Sequence, residues 1–173
     1  YAEVMRDLPG ENTPENVQVI VEETERLTNL VNDLLDLSKL EAGAVGLVKS
    51  RFNLTACIKG ILTRYDKLAD YSFPFAFEEE IWVEADELKI SQVVYNLVNN
   101  AIHYAGADKT VSLAQTVLEG RVRISVSDTG EGIPPDKLKD IWERYYKVDK
   151  EHRRAQIGTG LGLAIVKNVL ELH

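Results

Sequence analysis

At 173 residues the chain is long enough for one substantial core, or for one core with a short appended element. Hydrophobic residues make up 45% of it and charged residues 28%, and the formal net charge is -8 with no Lys/Arg block, so a nucleic-acid backbone is not an expected partner. No uninterrupted apolar run approaches the length of a membrane span, and no signal-peptide layout is present. Cys57 is the only cysteine, which excludes an internal disulfide and a cysteine-built zinc site and fits a reducing compartment. Its setting, Leu54-Thr55-Ala56-Cys57-Ile58, is that of a small core residue on a helix.

In chain order, Tyr1–Leu8 reads as the end of a helix stopped by Pro9-Gly10. Thr13-Pro14-Glu15 restarts one, with Thr as N-cap, Pro at the first helical position and an acid in the first turn. Ile20, Leu27 and Leu34 then recur at steps of seven, Val31 and Ser38 fall on the same stripe, and Leu30 and Leu37 widen it. That pattern predicts a coiled-coil-like helix from about Pro14 to Glu41, with Glu22, Glu23, Arg26 and Asp33 on the wet side. Such a helix is expected to pair with a first helix and with a second copy, as in a four-helix dimer bundle. Ala42-Gly43-Ala44-Val45-Gly46 breaks the pattern, and a boundary is expected near Gly46–Ser50, dividing a partial helical hairpin at 1–46 from a second domain at 51–173.

Phe52-Asn53-Leu54 leads into a helix carrying Ile58, Ile61, Leu62, Tyr65 and Leu68. Phe73–Glu79 and Ile81–Glu84 read as short strands, and Asp86 is placed to cap a helix through Leu88, Ile90, Val93, Val94, Leu97, Val98 and Ile102. Thr110–Leu118 and Arg121–Ser127 alternate around Glu119-Gly120 as a hairpin. A short helix is expected after Pro134-Pro135, then a polar stretch over Lys147–Ile157, then a last helix from about Gly160 to Leu170. Helices and antiparallel strands mix without regular alternation, so the expected class is α+β, a sandwich of a largely antiparallel sheet with helices on one face.

Three clusters carry chemistry. Asn96 and Asn100, four residues apart, project from one helix face, while Val93, Leu97 and Ala101 can hold the opposite face on the sheet. An Asn carbonyl oxygen suits a magnesium ion that also holds phosphate oxygens. Asp128-Thr129-Gly130-Glu131-Gly132-Ile133 ends a strand, and its glycines let a loop settle onto a flat ligand while the carboxylate accepts from an exocyclic amine. Gly158-Thr159-Gly160-Leu161-Gly162 opens an apolar helix and offers bare backbone N–H groups to an anion. Alone, each pattern is equally a polar helix face, a surface turn or a flexible helix entry. The last is neither a GxGxxG dinucleotide fingerprint nor a P-loop.

In this order the clusters resemble the ATP-binding domain of two-component sensor histidine kinases, within the GHKL-type superfamily that includes gyrase, HSP90 and MutL. The asparagine helix resembles the N box, Asp128–Ile133 the first glycine box and Gly158–Gly162 the second. Ile141-Trp142-Glu143-Arg144-Tyr145-Tyr146-Lys147-Val148-Asp149 resembles the aromatic F box, with Trp142 and Tyr145 where phenylalanines are usual. Thr24–Gly43 resembles the second helix of the dimerisation and phosphoacceptor domain, so the resemblance covers nearly the whole chain.

The resemblance implies a protein-histidine kinase that binds ATP and Mg2+, donates the γ-phosphoryl group to a His on a dimerisation helix, and passes it to an Asp of a response regulator receiver domain. It implies that Asn100 coordinates magnesium, that Asn96 supports the same site and that Tyr104 packs beside the adenine. Asp128 would accept from the adenine amine, and Gly130, Gly132 and Ile133 would shape that loop. Lys147 would reach the phosphates; Gly158, Thr159, Gly160, Leu161 and Gly162 would hinge the lid and offer backbone donors. An acidic surface does not prevent this, because a bound metal and local cations override the global field. His103 stands where Lys is frequent, and Ile157 where another Gly is frequent. His103, His152 and His173 all lie outside the phosphoacceptor context, which is expected upstream of Tyr1; the family's closing strands are expected beyond His173. The chain as given is therefore not expected to autophosphorylate, and the parent is expected to be a homodimer, cytoplasmic in this part and anchored in the bacterial cell membrane. A nucleotide-binding or dimerising interaction module without kinase activity is the alternative. An anti-sigma-factor serine kinase or ATP-driven clamp fits less well, because the Leu37-Ser38-Lys39-Leu40-Glu41-Ala42-Gly43 stretch belongs with a dimerisation hairpin.

Overall fold

The structure, a computed structural model, describes residues 12–41, 46–146 and 159–173, together with Glu3, Asp7 and Gly10. The expected helix end over Tyr1–Leu8 falls almost wholly outside the described residues, as do residues 42–45 of the expected break and the polar stretch from Lys147 to Ile157.

Helix α1 spans Pro14–Glu41, as the heptad pattern predicts. The Thr13 hydroxyl accepts from the Asn16 backbone N–H at 3.2 Å, so the cap read from the sequence forms. The apolar stripe divides in two. Leu37 is fully buried and Leu30 packs beside it, whereas Leu27, Val31 and Leu34 are exposed. Asp33 is not on the wet side. It is half-buried and accepts a hydrogen bond from Thr159, because this flank of α1 lies against the last helix.

Strand β1 (Ser50–Asn53) precedes α2 (Leu54–Leu62), whose first turn is capped by Asn53 Oδ1 accepting from Ala56 N–H at 2.9 Å. A short 3-10 turn over Thr63–Tyr65 ends that helix. The Cys57 thiol packs against Ser91 Oγ at 3.2 Å, consistent with a small packing residue. Strand β2 (Phe75–Ala76) is much shorter than the expected Phe73–Glu79, whereas β3 (Trp82–Ala85) has the expected length, one residue further on. Helix α3 runs over Glu87–Tyr104, and β4 (Val111–Leu118) and β5 (Arg121–Asp128) form the expected hairpin. Its turn puts Glu119 at φ 51° and Gly120 at φ 75°, the positive pair that a two-residue hairpin needs. Two 3-10 turns follow, at Pro135–Lys137 and Asp140–Trp142, and α4 spans Gly162–Leu172.

The strands make two sheets, β1–β3 antiparallel and β2–β4–β5, in which β2 runs parallel to β4 and β4 antiparallel to β5. Helices α2 and α3 cover the sheet through Ile58, Ile61, Val94, Val98 and Ala101, packed on Phe52, Val111 and Leu113. A second core lies on the far flank of α3, where Val93 and Leu97 meet Leu161, Ile165 and Val169 of the α4 segment and Leu37 of α1. This corrects the placement of Val93 and Leu97 against the sheet. Only Ala101 of that trio is in the sheet-side core, because α3 buries two faces at once.

One polar network ties the layers. Gln115 Nε2 donates to Thr55 Oγ1 at 2.9 Å and to Glu79 O at 3.2 Å, and the Ile81 N–H donates to the same Thr55 oxygen at 3.0 Å. Asp86 is the cap of α3, accepting from Lys89 N–H at 3.1 Å and from Val48 N–H at 2.9 Å. Burial works to raise its carboxyl, but those backbone donors and nearby His173 outweigh it and hold it below the ordinary value. Asp86→Ala is expected to cost about 1–2 kcal/mol by denaturant midpoint. The ionised contribution is fully present above the ordinary value of 3.8 and is lost as pH falls through the depressed folded value, so wild type and variant converge in acid.

Candidate nucleotide-binding site

The candidate site is where three segments converge: the C-terminal half of α3, the loop after β5 and the entry to α4. Asn96 and Asn100 are half-buried on α3. Asn96 Nδ2 donates to Gly162 O at 3.4 Å, which joins the asparagine helix to the second glycine segment. Asn99, between them, is engaged elsewhere: its Oδ1 accepts from Tyr65 Oη at 2.9 Å. Burial, with Tyr95 beside it, pushes the Tyr65 phenol up and keeps it a donor. Among the described residues no cluster of three or more His, Cys, Asp or Glu is placed to hold a metal.

The Asp128 loop is pressed onto the end of α3. A Cβ added at Gly130 would lie 2.0 Å from Tyr104 O and 2.9 Å from Asp128 Oδ1, so only glycine fits. The Gly130 N–H donates to Asp128 Oδ1 at 2.9 Å, which fixes the carboxylate and leaves its other oxygen for an incoming donor. Tyr104 is partly exposed at the helix end, and Ile133 is exposed on the loop. Gly132 adopts φ 76°, so its glycine is required by the backbone turn, with open space where a Cβ would stand. His103 is exposed beside Tyr104 and makes a contact of its own. The donor set fits an adenine nucleotide: an acceptor-only carboxylate held still, an aromatic beside it and a neutral oxygen ligand one helix turn away.

The second glycine segment is placed against α1. Thr159 Oγ1 donates to Asp33 Oδ2 at 2.9 Å, and Leu161 N–H donates back to Thr159 Oγ1 at 3.3 Å. Burial pushes the Asp33 carboxyl up, the Thr159 hydrogen bond opposes this, and the Asp36 charge adds to it. Asp36 in turn accepts from Gln92 Nε2 at 2.9 Å. Gly160 adopts φ 71°, with its Cβ position 3.0 Å from Tyr145 Cα, and its carbonyl accepts from Tyr145 N–H at 2.9 Å. The Leu161 side chain is fully buried in the second core, so any nucleotide contact there is left to backbone. Gly162 is the first residue of α4. Lys147 and Gly158, expected at the phosphates, lie outside the described residues.

Several participants are not apparent from the sequence. Gly106 follows the C-cap of α3, and its Cβ position is 2.4 Å from Thr129 O. Asp108 accepts from the Thr129 hydroxyl, and Asp33 from Thr159. These are contacts between segments far apart in the chain, and no local spacing announces them.

The profile of the histidine kinase-, DNA gyrase B- and HSP90-like ATPase family matches residues 85–173, and that of the His Kinase A (phospho-acceptor) domain matches residues 1–43. Sensor protein kinase WalK of Staphylococcus saprophyticus is 40% identical over 168 residues, 95% of this chain and 28% of the relative. WalK of Staphylococcus aureus is 39% identical over 167 residues, 94% of this chain and 40% of the relative. The chain thus spans less than half the length of these relatives. Among solved structures, full-length ShkA in complex with AMPPNP superposes with a TM-score of 0.75 at 27% identity, over 91% of this chain and 33% of that one. Histidine kinase ThkA in complex with response regulator protein TrrA superposes with a TM-score of 0.67 at 27% identity, over 79% and 41%. Acinetobacter baumannii histidine kinase AdeS shares the fold, with a TM-score of 0.79 at 22% identity over 99% and 80%. The chain belongs to the histidine kinase-, DNA gyrase B- and HSP90-like ATPase family, in its sensor histidine kinase branch.

Proposed function

We propose that this chain binds ATP between α3, the Asp128 loop and the entry to α4, as the catalytic part of a protein-histidine kinase. The observation that carries the reading is the seating of Gly130 on Tyr104 O, which fixes the Asp128 carboxylate beside an aromatic at the end of the asparagine helix. Asp128 accepts from the adenine amine, Tyr104 packs on the base, and Asn100, supported by Asn96, coordinates a magnesium ion. Gly132 and Ile133 complete the base pocket, while Thr159, Gly160, Leu161 and Gly162, with Lys147, His103 and Gly158, attend the phosphates.

Bound magnesium would supply charge neutralisation at the phosphate oxygens. The chain's own contribution is to hold the nucleotide in line with an acceptor and to exclude competing donors. In the transfer the bond from the γ-phosphorus to the bridging oxygen breaks, a bond to an imidazole nitrogen forms, ADP leaves and the ring proton is released. The acceptor is a His on a dimerisation helix, and the phosphoryl group passes next to an Asp of a response regulator. The exposed Leu27, Val31 and Leu34 stripe of α1 suits a helical pairing surface in a homodimer, with residues 1–46 as hairpin and 51–173 as ATP-binding domain. The parent protein is proposed to keep this part in the cytoplasm and to be membrane-anchored elsewhere.

The test is transfer from γ-labelled ATP in a longer chain that supplies the phosphoacceptor helix. An acid-labile, alkali-stable label is expected, reduced at least about a hundredfold in Asn100→Asp, where a negative charge replaces a neutral ligand facing the phosphates. Label on Ser or Thr, or an unaffected Asn100→Asp, would contradict the reading.

A further inference from the structure

The loop between α3 and β4 touches the adenine-side loop at two points that the proposed nucleotide contacts do not use. Gly106 N–H donates to Thr129 Oγ1 at 3.3 Å, and the same hydroxyl donates its proton to an Asp108 carboxylate oxygen. The hydroxyl is thus spent on both sides, as acceptor and donor. Behind it, the Gly106 Cβ position lies 2.4 Å from Thr129 O, so the two backbones are in direct contact. The 106–109 turn is itself anchored. Lys109 N–H donates to Gly106 O at 3.1 Å, Lys109 O accepts from Ser72 N–H at 3.0 Å, and Lys109 Nζ pairs with Asp70 at 2.9 Å.

Thr129 separates Asp128 from Gly130. Asp128 has one oxygen committed to Gly130 N–H, so the direction of the other depends on where Thr129 is held. We propose that Asp108 and Thr129 form a positioning clamp that aims the free Asp128 oxygen, and that the clamp sets how strongly the site selects adenine over guanine. The chemistry is asymmetric. A carboxylate only accepts, so it rewards the amino group of adenine and repels the carbonyl oxygen that guanine presents at the same ring position. A well-aimed oxygen sharpens that difference, and a loose one blunts it. The inference rests on the nucleotide-binding reading above and deepens it by naming what tunes its selectivity.

The experiment titrates the chain with magnesium and the non-hydrolysable imido analogues of ATP and GTP, for wild type, Thr129→Val, Thr129→Ser and Asp108→Ala. Thr129→Val keeps the shape and removes the hydroxyl. It is expected to weaken the ATP analogue about tenfold, with the GTP analogue changed less than about twofold, so that selectivity collapses. Thr129→Ser restores the wild-type ratio. Asp108→Ala, altered at the exposed end of the same contact, lowers the ratio as Thr129→Val does, and the double variant loses no more than either single. Should Thr129→Val fail to fold, Asp108→Ala carries the measurement. Equal losses for both analogues, an unchanged ratio, or a loss in Thr129→Ser as large as in Thr129→Val would overturn the clamp while leaving ATP binding intact. Absence of binding by folded wild-type protein would overturn the underlying reading, and the clamp with it.

Discussion

Gly130→Ala is expected to abolish nucleotide binding, by at least about a hundredfold, in a protein that still folds. The added methyl group would stand 2.0 Å from Tyr104 O, a backbone atom at the end of an 18-residue helix, and 2.9 Å from Asp128 Oδ1. The Asp128 carboxylate could swing aside, but the backbone carbonyl of Tyr104 could not. The helix end is held by its own ladder, with Ala105 N–H bonded to Ala101 O at 2.8 Å, and by Tyr71 Oη donating to Ile102 O at 3.3 Å. The loop is therefore the part that moves, and it takes Asp128 with it. Overpacking at such a position costs about 1–3 kcal/mol of stability, which a thermal melt reads separately from titration. Gly132→Ala is the matched comparison. Its φ of 76° strains any other residue, but open space surrounds its Cβ position, so binding should fall far less. Equal losses at both positions would show that loop flexibility, rather than the seating of Gly130 on Tyr104, supports the site.

Leu37→Ala should release α1 from the rest of the chain without melting the sheet-side core. Leu37 is fully buried and is the principal apolar residue that α1 inserts between α3 and α4. A leucine truncation of this kind costs about 2–5 kcal/mol. Among the described residues, Leu30 and two hydrogen bonds, Gln92 to Asp36 and Thr159 to Asp33, also hold α1, the hydrogen bonds with about 1–3 kcal/mol at most to offer. Hydrogen exchange is expected to show loss of protection along α1, while amides of β4 and β5 keep wild-type rates. Uniform acceleration through both cores would mean that α1 and the ATP-binding domain unfold as one unit.

Much of this fold was legible because its signals are local. The Thr13 cap, the Pro14–Glu41 span of α1, the Asp86 cap and the Glu119-Gly120 turn are written in nearby residues, and each forms as read. Strand β1 was not legible: of its four residues only Phe52 is buried, so it has no alternation to detect. Helix α3 misleads for the opposite reason. It is apolar on two flanks, and a single stripe cannot tell that Val94 and Val98 face the sheet while Val93 and Leu97 face α4. The same limit explains Asp33, whose charge belongs on a wet face until a hydroxyl 126 residues away meets it. In the site, the asparagine pair and both glycine segments were readable as patterns. Gly106, Asp108 and the pairing of Asn96 with Gly162 arise only from tertiary approach.

The central claim is that Asp128, seated by Gly130, selects the adenine of ATP for a magnesium-assisted site. Calorimetric titration with a non-hydrolysable ATP analogue, with and without magnesium, in wild type and Asp128→Asn tests it most directly. The account predicts magnesium-dependent binding by wild type, lost in an Asp128→Asn protein that melts as wild type does. No binding by folded wild-type chain, or undiminished binding by Asp128→Asn, would contradict it and favour an interaction module that works without nucleotide.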